Sequence, residues 1–198
     1  DRINPKSGEK ISQKLPSYTL SAVAFNNDDK TTKIIDVSSG ELNWQVPEGN
    51  WSILLAGHRF RSSVTRSVNN PTRGKDTTAS LFDYLNPLGT RQFIDWTHEQ
   101  YKKYIGNEFG KTMMGFMGDE PDFAYTPWTP KILQEFRTRK GYDVQPYLAS
   151  FFTPLLNEEA RRAKADYWSV WSDLFRDNFF KVQADWCHEN NIEYIVHL

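Results

Sequence analysis

The stretch MMGFMGDEPDF, residues 113–123, decides how the rest of the chain is read. A short run of mostly apolar residues leads straight into Asp119, Glu120, Pro121 and Asp122. An apolar run of this length bounded by turn formers reads as a buried strand. In α/β sheets and barrels, strands of that kind carry functional groups at their C-terminal ends. A carboxyl there is expected to be partly desolvated, which raises its pKa and suits it to donate a proton near neutral pH. Pro121 fixes its own φ and offers no backbone N–H, so it stiffens the turn that presents the acids. Asp, Glu and Pro are also what a helix N-terminus prefers, and that local reading stands beside the chemical one.

Downstream, the spacing predicts a helix over 129–140, with Gly141 at its C-terminal cap. A longer helix follows over 157–189, where Ala160, Ala163, Tyr167, Val170, Leu174, Val182 and Trp186 form one stripe. Trp168, Trp171, Phe175 and Phe179 widen it. Asn190 and Asn191 end this helix, and IEYIV (192–196) reads as a short strand with His197 behind it. Upstream, residues 90–109 place Phe93, Trp96, Tyr101, Tyr104 and Ile105 near helical spacing, and Gly110 stops them. Residues 63–87 are a polar transition with one short apolar piece, Leu81 to Leu85. From about residue 80 the order is strand, helix, strand, helix, helix, strand, which argues for a parallel sheet with crossover helices. Residues 1–62 read as β, with strands over 17–25, 33–38, 42–46 and 51–60 separated by the turn signals NNDDK, SSGE and PEGN. That pattern fits a small antiparallel sheet or the end of a β-sandwich.

With 198 residues and 38% hydrophobic content, the chain is long enough for one domain or two small ones with a real core. Aromatic residues make up 15%, and exposed aromatic rings are flat platforms for sugars or bases. The net charge of −1, without a Lys/Arg run, argues against a nucleic-acid binder. A single cysteine, Cys187, permits no intrachain disulfide and no zinc-finger spacing. No stretch approaches the roughly 20 apolar residues of a membrane span. The chain opens without Met or a signal peptide and stops after IEYIVHL, so it reads as an excerpt.

Three groups occupy candidate strand ends: Asp83 with Asn86, then Asp119, Glu120 and Asp122, then His197. Asp83 and Asn86, in DYLNP, fit equally a turn and an N-cap. His197 can hydrogen-bond a ligand or bind metal, or serve structure alone. Trp128 is a candidate sugar-stacking platform or a cap on the core. His98 and His188 lie on helices and read as surface or packing residues. GNEFGKT (106–112) lacks the phosphate-loop spacing, and neither GxSxG nor HExxH occurs. The carboxylates of Asp119, Glu120 and Asp122 can meet calcium, but no EF-hand loop is present.

The pieces DYLNP, FIDWTHEQYKKYIGNEFGKT, GFMGDEPDF, PWTPKILQEFRTRKGYDVQPYLASFF and DYWSVWSDLF...WCHENNI occur in this order. Together they resemble glycoside hydrolase family 106, the α-L-rhamnosidases of plant-polysaccharide-degrading bacteria, over roughly residues 43–198. The resemblance implies a (β/α)8 TIM barrel beside β-sandwich domains. The chain would then hold a β-sandwich-like segment over 1–62 and the N-terminal part of the barrel over 63–198. It also implies secretion to the periplasm or beyond, a rhamnose-containing glycan as substrate, and calcium dependence with ligands unassigned. Inversion uses two carboxyl groups about 6.5–9.5 Å apart, an acid and a base that activates water. The GDEP motif matches the segment that supplies one of them. Glu120 takes the general-acid role by this resemblance, Asp119 binds sugar or tunes Glu120, and Asp83, Asn86, Trp128 and His197 are the further substrate-binding candidates. A barrel typically needs about 250 residues. The second carboxylate is therefore expected downstream of residue 198. A carbohydrate-binding piece without catalysis, and a retaining glycosidase for another sugar, are the alternatives.

Overall fold

A computed structural model describes residues 1–58, 83–119, 121, 128–153 and 157–197. In chain order the strands and helices are β1 (Arg2–Ile3), β2 (Lys10–Lys14), β3 (Thr19–Asn26), β4 (Thr32–Ile35), β5 (Glu41–Gln45), β6 (Trp51–Gly57), α1 (Pro87–Trp96), α2 (His98–Ile105), β7 (Gly115–Gly118), α3 (Ile132–Lys140), α4 (Glu158–Phe175), α5 (Lys181–Glu189) and β8 (Glu193–Val196). A 3-10 turn covers Gly106–Glu108, a longer 3-10 segment covers Gln145–Phe152, and a π-helical turn, Arg176–Phe180, joins α4 to α5. The molecule is mixed α/β. Its described residues fall into two compact units, one drawn from 1–58 and 131–170, the other from 83–130 and 171–197.

The first unit is built on an antiparallel sheet ordered β1-β6-β3-β4 and a second antiparallel pair, β2-β5. Ile11 and Leu42 from the pair share one core with Ala22, Ala24, Ile35, Trp51 and Ile53 from the larger sheet, so the two sheets face each other. Strand β3 is buried along almost its whole length, because its second face is covered as well. The 3-10 segment lies there: the Ala149 N–H donates to Ser21 Oγ at 2.7 Å, and Gln145 Nε2 donates to the Leu20 carbonyl at 3.0 Å. These bonds are why residues 131–170 cluster with the β-rich part of the chain. Phe136 and Tyr167 are fully buried in this unit, and burying a large side chain stabilises by about 1.5–3 kcal/mol. Gly141 takes the left-handed conformation expected of it (φ 78°), and its N–H caps the Arg137 carbonyl. The four strands read from residues 17–60 are present over their described parts, with ends within two residues except that β4 stops at Ile35, three residues short of the reading. Strands β1 and β2 had no alternation strong enough to announce them.

In the second unit β7 and β8 pair in parallel, Gly115 opposite Glu193 through Gly118 opposite Val196. This is the parallel pairing the element order predicts, and two strands fit an open sheet and a barrel alike. Gly115 is required by close approach: a Cβ there would run into the Glu193 carbonyl. Asp83–Leu85 form a turn before α1, and the strand expected ahead of them lies outside the described residues. The single helix predicted over 90–109 is broken at Thr97 (φ −120°, ψ −75°), whose hydroxyl back-bonds to the Phe93 carbonyl at 2.6 Å. The break carries His98 into the core, where it stacks on Phe116 with centroids 4.0 Å apart. Thr90, Ile94 and His98 are therefore the buried positions, while the apolar residues read as the stripe, Phe93, Trp96, Tyr101, Tyr104 and Ile105, are exposed. The long helix is continuous as predicted, but its stripe is not. The π-turn inserts one residue into the phase, so Gln183 and Cys187 are buried where Val182 and Trp186 were expected, and those two are half-buried. Among the described residues no helix is long and apolar enough to cross a membrane.

Candidate active site

The parallel register of β7 and β8 sets the residues that follow them side by side. The His197 N–H donates to the Gly118 carbonyl at 3.0 Å, which extends the ladder past the last strand pair. His197 Nδ1 then lies 3.7 Å from Asp119 Oδ1. Two strand-end candidates, far apart in sequence, are thus neighbours. Both are open to solvent, with the Asp119 side chain 85% and the His197 side chain 62% exposed. The partly desolvated setting expected for a carboxyl at this strand end does not surround Asp119. Glu120 and Asp122 lie outside the described residues.

Asp83 has the setting that Asp119 lacks. It is half-buried, and its Oδ1 accepts the Leu85 N–H at 3.1 Å. Burial pushes its pKa above the usual carboxylate value, while hydrogen bonds from the buried Thr129 hydroxyl and from Leu85 pull the other way. Thr129 follows Trp128 directly, so Asp83 and the candidate aromatic platform belong to one neighbourhood. Trp128 is half-buried. Asn86 is used differently: its Oδ1 accepts the Leu88 N–H at 3.1 Å and it caps α1, with Pro87 in the first turn. The cap reading describes Asn86, and its side-chain oxygen is committed to the helix.

The Asp83 turn is held from below by the π-turn. Asn178 Nδ2 donates to the Leu85 carbonyl at 2.8 Å, and the Thr90 hydroxyl donates to the Asn178 carbonyl at 2.7 Å. Tyr84 sets its ring edge-on against Phe175 and Phe179, with centroids 6.0 and 4.8 Å apart. Thr129 and Asn178 were absent from the sequence reading. No motif marks Thr129. The π-turn left no trace in the spacing either, because Val182 keeps the phase of a regular helix with the rest of the apolar stripe. His98 is packing, as read: only 3% exposed, it has its pKa lowered chiefly by burial. Calcium asks for about six to eight oxygen ligands. Among the described residues no three His, Cys, Asp or Glu side chains converge, so none is assigned to the ion.

A strand-end acid beside a histidine, and a half-buried carboxyl bound by the residue that follows a tryptophan, are groups suited to sugar chemistry, and comparison with known proteins points the same way. The class is glycoside hydrolase. A family model described as alpha-L-rhamnosidase matches residues 1–197, and the chain belongs to that family, glycoside hydrolase family 106. The match begins at residue 1, so it takes in the N-terminal β segment that the resemblance over 43–198 left aside. A curated relative from Formosa agariphila, named "Putative beta-glucuronidase", is 26% identical over 161 residues, covering 80% of this chain. The solved rhamnosidase from Novosphingobium sp. PP1Y superposes with a TM-score of 0.53 at 22% identity over 83% of this chain, a likeness of fold. The chain spans 13% of the length of that relative and 16% of that solved chain.

Proposed function

We propose that this chain is the part of an inverting α-L-rhamnosidase that carries the general acid, and that the full-length protein removes terminal rhamnosyl groups from plant polysaccharides outside the cytoplasm. The observation that carries the reading is the register of β7 and β8, which puts Asp119 and His197 together at the C-terminal ends of parallel strands. In a (β/α)8 barrel, the architecture proposed for the full-length protein, that rim holds the chemistry. Glu120, one residue past Asp119, is the proposed acid that protonates the leaving glycosidic oxygen. Asp119 and His197 hydrogen-bond the sugar hydroxyls beside it. Asp83 binds a further hydroxyl, and Trp128 supplies an apolar face for sugar C–H groups. The general base belongs to the remainder of the barrel. Calcium dependence is part of the proposal for the full-length protein, with no ligand assigned and no step routed through the ion.

A second reading is a retaining glycosidase acting on another sugar, and the name of the Formosa relative favours the other sugar. Proton NMR of the first-formed product separates the two. Hydrolysis of an aryl α-L-rhamnoside by the full-length protein should release β-L-rhamnose first. Release of α-L-rhamnose, or turnover of an aryl β-D-glucuronide in preference, overturns the proposal in favour of the second reading.

A further inference from the structure

A π-turn within a helix is rare and often marks a functional site, because its widened backbone displaces carbonyls from their usual partners. Here those carbonyls are met by buried polar side chains. Thr90 donates to the Asn178 carbonyl, and Gln183 Nε2 donates to the Phe179 carbonyl at 3.1 Å. The turn also aims the Asn178 amide at the Leu85 carbonyl, the same residue whose N–H binds Asp83. Asn178 therefore fixes one peptide group from its carbonyl side, and the neighbouring N–H of that residue orients the carboxylate.

We propose that the π-turn between α4 and α5 is a positioning device, in which Asn178 holds Leu85 so that its N–H aims the Asp83 carboxylate at substrate. The inference rests on the proposed role of Asp83 as a sugar contact. Asn178 touches no substrate itself. It acts on the orientation of Asp83, so its loss should weaken substrate binding more than it slows chemistry.

The test uses the full-length protein and an aryl α-L-rhamnoside, with Asn178→Ala, Asp83→Ala and the double variant. Asp83→Ala should raise KM about tenfold or more, the size of a lost hydrogen bond to a charged group. Asn178→Ala should raise KM roughly three- to tenfold with kcat within about twofold. The double variant should match Asp83→Ala alone, because the two residues act on one interaction. Asn178→Asp keeps the shape but, once ionised, cannot donate. Its KM defect should appear at neutral pH and shrink, relative to wild type at the same pH, as the new carboxyl protonates. A KM for Asn178→Ala within about twofold of wild type, while Asp83→Ala raises it, overturns the positioning role and leaves Asp83 in place. An unchanged KM in Asp83→Ala overturns the Asp83 contact and the positioning role with it. Where Asn178→Ala does not fold, the Asn178→Asp profile decides by the same criteria: a pH-independent KM overturns the proposal.

Discussion

Asp83 and Asp119 stand in opposite surroundings within one compact unit. Asp119 follows β7 into solvent, beside His197. Asp83 is half-buried, bound by Leu85 and Thr129, and backed by a π-turn that is itself held by buried polar groups. An exposed carboxylate costs the fold little and can adapt to a ligand. A half-buried one with a raised pKa costs stability when it ionises, and such a cost is characteristic of groups kept for function. The difference teaches that burial and strand-end position are separate signals. The apolar run before Asp119 marks the strand correctly, but the desolvated acid among the described residues lies on the turn before α1.

The largest structural effect is expected at the strand pair. Gly115→Ala sets a Cβ against the Glu193 carbonyl, and overpacking of this kind costs about 1–3 kcal/mol. Amide hydrogen exchange should quicken through β7 and β8 and leave the Asp83 turn unchanged. Equal loosening of both regions would break the comparison. Asn86→Ala removes the α1 cap, at a cost of about 1 kcal/mol. Faster exchange should be confined to the first turns of α1, with KM unchanged, and a raised KM would return Asn86 to the substrate contacts.

Asp83→Asn sharpens the contrast through pH. Because the folded-state pKa of Asp83 is raised, its contribution favours the fold below the ordinary value of 3.8 and is lost as pH rises to the raised value. Asn carries no charge to desolvate and can still accept the Leu85 N–H. The variant should therefore lose that slope in thermal stability, match or exceed wild type at neutral pH, and bind substrate less well. Lower stability at neutral pH with unchanged KM would make Asp83 structural. The smallest effect is expected from Asp119→Asn, where an exposed substitution should change stability by less than about 0.5 kcal/mol.

The parts legible in the sequence were those where local pattern and tertiary burial agree. Strands β3 to β6, the long helix, the Gly141 cap and strand β8 follow from apolar runs and turn residues. The neighbourhood of Asp119 and His197 was not legible, because parallel strands set their ends side by side only when they are adjacent, and that adjacency of β7 and β8 is seen in the pairing alone. Phe93, Trp96 and Tyr104 misled because one hydroxyl, Thr97, breaks the helix and turns a different face inward. Val182 and Trp186 misled because the π-turn advances the phase by one residue. Thr129 and Asn178 work through contacts with residues distant in sequence, which no spacing records.

The most direct measurement is the leaving-group dependence of Glu120→Gln in the full-length protein. A residue that protonates the departing oxygen contributes about 10²- to 10⁴-fold when that oxygen is basic, and little when the aryl group leaves readily as an anion. The proposed role predicts a loss of that size in kcat/KM on an alkyl α-L-rhamnoside and near-wild-type turnover of a dinitrophenyl α-L-rhamnoside. Wild-type activity on both substrates, or an equal loss on both, would contradict Glu120 as the acid.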